Sequence, residues 1–243
     1  MARFVLVHGA YGGAWCWEPV TPALEAAGHA VETLDLPAAG DDATPVEEVT
    51  LERCVDRVCA VLATRAEPAV LVGHSMGGVV ITQAAASCPD RVASLVFVCA
   101  FMPSDGQSLL DLTRLPEGED DMIQANIVVK GDPPVGYLSE EATAEAIYSC
   151  CTPEQAAAAV ARRRPQAIAV FEAPVRADDG VLVAIPRSYV FCGRDQSIPP
   201  ALQRRMIREH PCRQVIEIET DHAPYFSATD ELTAALLEFA GDR

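Results

Sequence analysis

The stretch Ala69-Val-Leu-Val-Gly-His-Ser-Met-Gly-Gly-Val-Val-Ile81 constrains this chain more than any other, because it drives a buried strand straight into a helix. Ala69 to Val72 has the length and β-branched character of a strand covered on both faces. Gly73 and Gly77 then bracket Ser75 in the pattern Gly-x-Ser-x-Gly, and Gly78 adds a further small residue for close helix packing. A serine on so sharp a strand-to-helix turn needs small neighbours two residues to either side, where side chains would meet the flanking backbone. The turn exposes its hydroxyl at a helix N-terminus, where backbone N–H groups favour developing negative charge. Five motif residues alone occur by chance in glycine-rich turns. The strand before and the helix after are the context that gives them meaning.

A chain of 243 residues, half of them apolar, is large enough to bury one α/β core without covalent staples. Arg3–Val7, Ala30–Leu36, Ala69–Val72, Ala93–Ala100, Ser188–Cys192 and Gln214–Thr220 read as strands. Between them Trp17 to Ala27, Leu51 to Leu62, the segment after Ser75, Pro200 to Glu209 and Ser227 to Ala240 have helical spacing. Strands alternating with helices imply a mostly parallel sheet of about six strands, wound on both faces. From Pro103 to about Pro186 this rhythm gives way to prolines, acidic clusters and an alanine-rich segment. The expected layout is a core of residues 1–103 and 187–243, with residues 104–186 inserted as a small helical cap over the strand ends.

No charged-then-apolar leader opens the sequence, and no apolar run approaches the roughly 18 residues of a membrane span. The expectation is a soluble, cytoplasmic protein without a membrane partner. A net charge of −17 disfavours nucleic-acid partners. The nine cysteines include no Cys-x-x-Cys pair that would suggest zinc or redox work, and read as free thiols; adjacent Cys150 and Cys151 leave a regulatory disulfide as the minority reading.

In a sheet of this kind ligands bind at the carboxyl ends of the strands, and three reactive residues follow strands. They are Ser75, Asp195 in Cys192-Gly-Arg-Asp-Gln-Ser-Ile-Pro199, and His222 in Thr220-Asp-His-Ala-Pro224. A serine hydroxyl needs a base with a pKa near 7, which His222 supplies, and a carboxylate at Asp195 fixes the imidazole's tautomer. Main-chain N–H groups of Met76 and Ala10 are the candidate oxyanion donors. Asp105, after the fourth strand, competes for the acid's role. Asp221 adjoins His222 and should point away, and Asp35 is read as capping a loop below the site. His8 and His74 adjoin motif glycines and are read as structural; His29 and His210 sit at helix ends.

His8-Gly-Ala-Tyr-Gly-Gly-Ala-Trp-Cys-Trp17, Thr33-Leu-Asp-Leu-Pro37, Gly73-His-Ser-Met-Gly77, Phe97-Val-Cys-Ala-Phe-Met-Pro103 and Asp221-His222 resemble the hydroxynitrile lyase and methylesterase branch of the α/β-hydrolase fold. The chain order Ser, Asp, His is that of the same fold. The resemblance spans nearly the whole chain and is weakest in the insertion. It implies an enzyme without cofactor, a six-stranded core, a small helical cap and, often, a homodimer. The cyanohydrin-cleaving members carry threonine where this chain has Gly9, and lysine where it has Ala223. Gly9 matches the esterases instead, although these often have methionine at the position of Ala223.

The resulting expectation is a serine esterase acting on a small to medium apolar carboxylic ester through an acyl-enzyme on Ser75. Gly9, Tyr11, Phe101, Met102, Tyr148 and Ala223 are the candidate pocket residues, with Trp15 and Phe171 also considered; for Trp15 and Phe101 core packing is an equal reading. Two alternatives stay open. One is lyase, cyclase or dehydration chemistry on the same Ser-His-Asp site, with His222 as base and Ser75 relaying a proton. The other is a small-molecule-binding receptor on the same scaffold.

Overall fold

In the computed structural model, which describes residues 1–177 and 179–241, a six-stranded sheet organises the chain. Residue 178 of the insertion and residues 242–243 of the core range lie outside the described residues. The core strands are β1 (Arg3–Val7), β2 (Ala30–Leu34), β3 (Ala69–His74) and β4 (Val92–Val98). The insertion carries β5 (Val128–Lys130), β6 (Val135–Tyr137) and β7 (Gln166–Ala167), and the core resumes with β8 (Arg187–Cys192) and β9 (Gln214–Ile218). The sheet order is β2-β1-β3-β4-β8-β9, and every neighbouring pair runs parallel.

Alternation along each strand divides the core in two. Val5, Val7, Leu71, Leu95 and Phe97 face one apolar layer, shared with helices Leu51–Ala63, Gly77–Ser87 and Pro200–Glu209. Phe4, Leu6, Val70, Val72, Val96 and Val98 face the other, shared with helices Thr21–Ala26 and Thr229–Gly241. Successive side chains of a strand point to opposite faces, so a continuous apolar run such as Phe4 to Val7 serves both layers. From β1 the chain leaves toward β2 on one side, while β3 pairs on the other. The order therefore reverses between β1 and β3, and a crevice opens beyond their carboxyl ends. The loops carrying Gly9 and Ser75 leave the sheet at that point.

Some boundaries differ from the sequence reading. The first helix begins at Thr21, after a short 3-10 turn at Ala14–Trp17, because Pro22 fits only in a helix's first turn. The last runs over Thr229–Gly241 and is preceded by a separate short helix, Pro224–Ser227.

The insertion is not wholly helical. Alongside short helices it holds the antiparallel three-stranded sheet β5-β6-β7, whose strands of two or three residues are too short to show a period. It shares both apolar layers of the core, through Ile168, Val170 and Phe171 on one side and Ile147, Tyr148 and Val160 on the other.

Candidate active site

Ser75 sits at the tip of the turn between β3 and helix Gly77–Ser87, with φ of +55°, in the left-handed region that a residue with a Cβ adopts at a cost. The surroundings hold it there. Its N–H donates to the Val98 carbonyl at 3.3 Å, and its own carbonyl accepts from Gly78 and Phe101. A Cβ on Gly73 would lie 2.7 Å from the Gly77 carbonyl oxygen, one on Gly77 2.8 Å from that of His8, and one on Gly78 would overlap that of Phe101. The glycines thus let the turn pack against the ends of β1 and β4.

His222, in the loop after β9, places Nδ1 2.7 Å from Asp195 Oδ2. Asp195, 3 % exposed, is pinned in turn. Its Oδ1 accepts from Ser197 N at 2.8 Å and Ile198 N at 2.9 Å, and its Oδ2 also accepts from Gln203 Nε2 at 3.2 Å. The Gln203 side chain is fully buried on helix Pro200–Glu209 and binds both main-chain groups of Cys192, so it locks the end of β8 to the carboxylate. Nδ1 is engaged by Asp195, which leaves His222 Nε2 as the nitrogen available to a reacting group.

Ser75 and His222 line one small cleft. Ala10 and Met76 line it as well. Among the described residues neither of their amide N–H groups finds a protein acceptor, as a pair of oxyanion donors requires. Leu109, Ile123, Ile147 and Phe171 form an apolar wall, while Tyr11, Asp121 and Gln124 bring polar groups.

The other histidines hold the loops. His74 Nε2 lies 2.7 Å from the His222 carbonyl oxygen, and burial, then the nearby His222, pushes its pKa well below the ordinary value. A neutral His74 with its proton on Nε2 therefore donates to that carbonyl. His8 Nδ1 meets the Gly9 carbonyl oxygen at 2.7 Å, while its Nε2 accepts from Leu36 N at 3.1 Å; burial lowers its pKa too.

Of the acids weighed against Asp195, Asp105 accepts from Ala177 N. Asp35 accepts from Ala14 N and Asp41 N and closes a loop. Asp221 turns away from the imidazole to accept from Cys150 N, Ala223 N and Ser227 Oγ, tying the insertion to the His222 loop.

Four expected pocket residues lie elsewhere. Gly9 is behind the nucleophile, where a Cβ would come within 2.6 Å of Ser75 Cβ. Met102 belongs to the apolar layer around Met206, whose sulfur accepts its N–H. Tyr148 packs its ring 6.3 Å from that of Phe226, in the opposite layer. Ala223 is fully buried, its N–H bound to Asp221 and its carbonyl accepting from Phe226 and Ser227. Of the other aromatics considered, Tyr11, Phe101 and Phe171 line the cleft; Trp15 stacks on Phe226 instead. Sequence reasoning passed over Asp121, Gln203 and the cleft-lining Ser197 and Ile198. The last two lie two and three residues after Asp195 and had that signal; Asp121 is one acid in the run Glu117-Gly-Glu-Asp-Asp121 and had none.

Residues 4–235 match the model of the alpha/beta hydrolase family. This chain belongs to that family. The hydrolase is 33 % identical to Methylesterase 7 of Arabidopsis thaliana, over 98 % of this chain and 96 % of the relative. It is 31 % identical to Salicylic acid-binding protein 2 of Nicotiana tabacum, over 98 % and 96 %. The crystal structure of polyneuridine aldehyde esterase superposes with a TM-score of 0.89 at 29 % identity, covering 99 % of both chains.

Proposed function

We propose that this hydrolase cleaves a small to medium apolar carboxylic ester through an acyl-enzyme on Ser75. The observation that carries the reading is one shared cleft holding Ser75, on its strained turn, and His222, on its Asp195 anchor. His222 Nε2 takes the Ser75 proton as Oγ attacks the ester carbonyl, and the N–H groups of Ala10 and Met76 receive the oxyanion. Asp195 steadies the imidazolium, which gives its proton to the departing alkoxide. Water, deprotonated by His222, then releases the acid and restores Ser75. Relatives that are methylesterases support methyl esters as the first substrates to try.

The cleft's lining favours hydrolysis over cyanohydrin cleavage. Among the described residues no lysine or arginine lines it, so no fixed cation stands beside the base to stabilise departing cyanide.

Hydrolysis of short-chain p-nitrophenyl esters by the wild type, Ser75→Ala and His222→Ala tests the reading. Activity lost in both variants while the fold persists supports it. A folded but inert wild type, or activity that survives Ser75→Ala, overturns it.

A cytoplasmic setting is proposed as well, and nine free cysteines fit a reducing compartment. No helix among the described residues is long and apolar enough to cross a membrane. The homodimer suggested by the family resemblance is carried as a proposal for sedimentation to test.

A further inference from the structure

Asp121 and Tyr11 are two of the cleft's polar residues that take no part in the ester chemistry. Asp121, 3 % exposed, caps helix Met122–Asn126 through Oδ1 alone, which accepts from Ile123 N at 2.8 Å and Gln124 N at 3.0 Å. No protein group among the described residues hydrogen-bonds to its Oδ2. Tyr11, 6 % exposed, has a buried hydroxyl with no protein partner among the described residues, whereas a buried phenol usually finds one. Its backbone is also strained, with φ of +62°, and its carbonyl turns outward to accept from Arg164 N at 3.2 Å. Both residues line the cleft with Ser75 and His222, and Asp121 is the charge that acts on the phenol. The two do not bond each other.

We infer that Asp121 and Tyr11 form a second recognition point, which selects esters bearing a hydroxyl group in addition to the ester itself. This rests on the ester-hydrolase reading of the same cleft. A hydroxyl is the group that satisfies both residues at once: it donates to the carboxylate and accepts from the phenol. An ammonium offers donors only and leaves the Tyr11 proton unmatched, and an ether offers no donor to Asp121. The remaining surface is largely apolar, so these two side chains supply the orientation that an apolar wall cannot. Burial pushes the Asp121 carboxyl up to about 7, against the two backbone N–H groups and His222, which pull it down. A carboxyl so poorly solvated gains from a donor delivered by the ligand.

The test uses methyl 3-phenylpropanoate and its 2-hydroxy, 3-hydroxy and ring 4-hydroxy derivatives, the methyl ether of each, and the 2-amino analogue. In the wild type, kcat/KM for at least one hydroxy ester should exceed that for the parent and the matching ether by about tenfold or more, as expected where a site built for a hydroxyl meets an analogue lacking it. The ratio should fall to within about threefold of one in Tyr11→Phe, and likewise in Asp121→Ser, since serine keeps the helix cap but withdraws from the cleft. Equal rates across the wild-type panel, a hydroxyl preference that persists in both variants, or a preference for the amino ester alone would overturn the inference.

Calorimetric binding of the same esters to Ser75→Ala separates this failure from that of the parent reading. If the wild type hydrolyses nothing, the esterase reading falls. A hydroxyl preference in Kd on Ser75→Ala, lost when Tyr11→Phe is added, would still support the recognition point; uniform Kd values would end it.

Discussion

His222 Nδ1 and Asp195 Oδ2 stand 2.7 Å apart, and the carboxylate that makes this contact is held by three further protein donors. Asparagine at 195 keeps an oxygen for the Ser197 and Ile198 amides but turns an NH₂ toward His222. The imidazole must then accept at Nδ1 and carry its proton on Nε2, where it is no base for Ser75. Asp195→Asn should lower kcat on p-nitrophenyl esters by about 10²- to 10⁴-fold while circular dichroism stays that of the wild type. A loss of less than about tenfold would mean that another group orients His222.

Gln203 supports that carboxylate. Its Nε2 reaches Asp195 Oδ2, the Cys192 carbonyl at 3.2 Å and the Ile198 carbonyl at 2.8 Å, and its Oε1 accepts from Cys192 N at 3.1 Å. Gln203→Leu fills much the same space and leaves those buried groups unmatched. The expected destabilisation is about 2–4 kcal/mol, since each stranded buried polar group costs roughly 1–3 kcal/mol. Denaturant unfolding measures it, and kcat read well below the unfolding midpoint should fall as well, because Asp195 loses a support.

Where each residue type acts through the backbone next to it in sequence, its role could be read from sequence alone. Gly73, Ser75 and Gly77 are such a case: the turn's crowding is local and its solution is glycine. Asp195 and His222 could be placed at one sheet edge because each follows a strand. Which side chains line the cleft depends instead on where the insertion folds back. Its short strands carry no period, so neither Asp121 nor the displacement of Tyr148 into the opposite apolar layer was legible. Gln203 looked like one more polar residue of an amphipathic helix; its burial follows from helix packing against β8, which no local pattern encodes.

Gly78 has no Cβ because the chain after β4 comes too close. An added methyl would overlap the Phe101 carbonyl oxygen and lie 3.0 Å from Ala100 Cβ. Both obstacles are a backbone segment and its first side-chain atom, so neither can swing aside. Gly78→Ala should destabilise the fold by about 1–3 kcal/mol, the usual effect of overpacking. It should also reduce kcat/KM, because Ser75's carbonyl accepts from both Gly78 and Phe101. A calorimetric midpoint unchanged from the wild type would show that the two segments part without loss.

Asp121 makes a stability prediction separate from its place in substrate recognition. In the folded chain, burial raises its carboxyl to about 7, whereas in the unfolded chain it titrates in the ordinary range, near pH 4. Between those values the folded state binds more protons than the unfolded one, so this group's contribution to stability declines as pH rises through the window and levels off above it. Asp121→Asn keeps a helix-capping oxygen and removes the titration. His222, Asp195 and Tyr11, the other titratable groups around the cleft, are present in both proteins. The stability of Asp121→Asn relative to wild type should therefore improve steadily from pH 4.5 to pH 7.5, as measured by urea unfolding at a series of pH values. A flat difference across that range would place the folded-state pKa of Asp121 back among ordinary carboxylates.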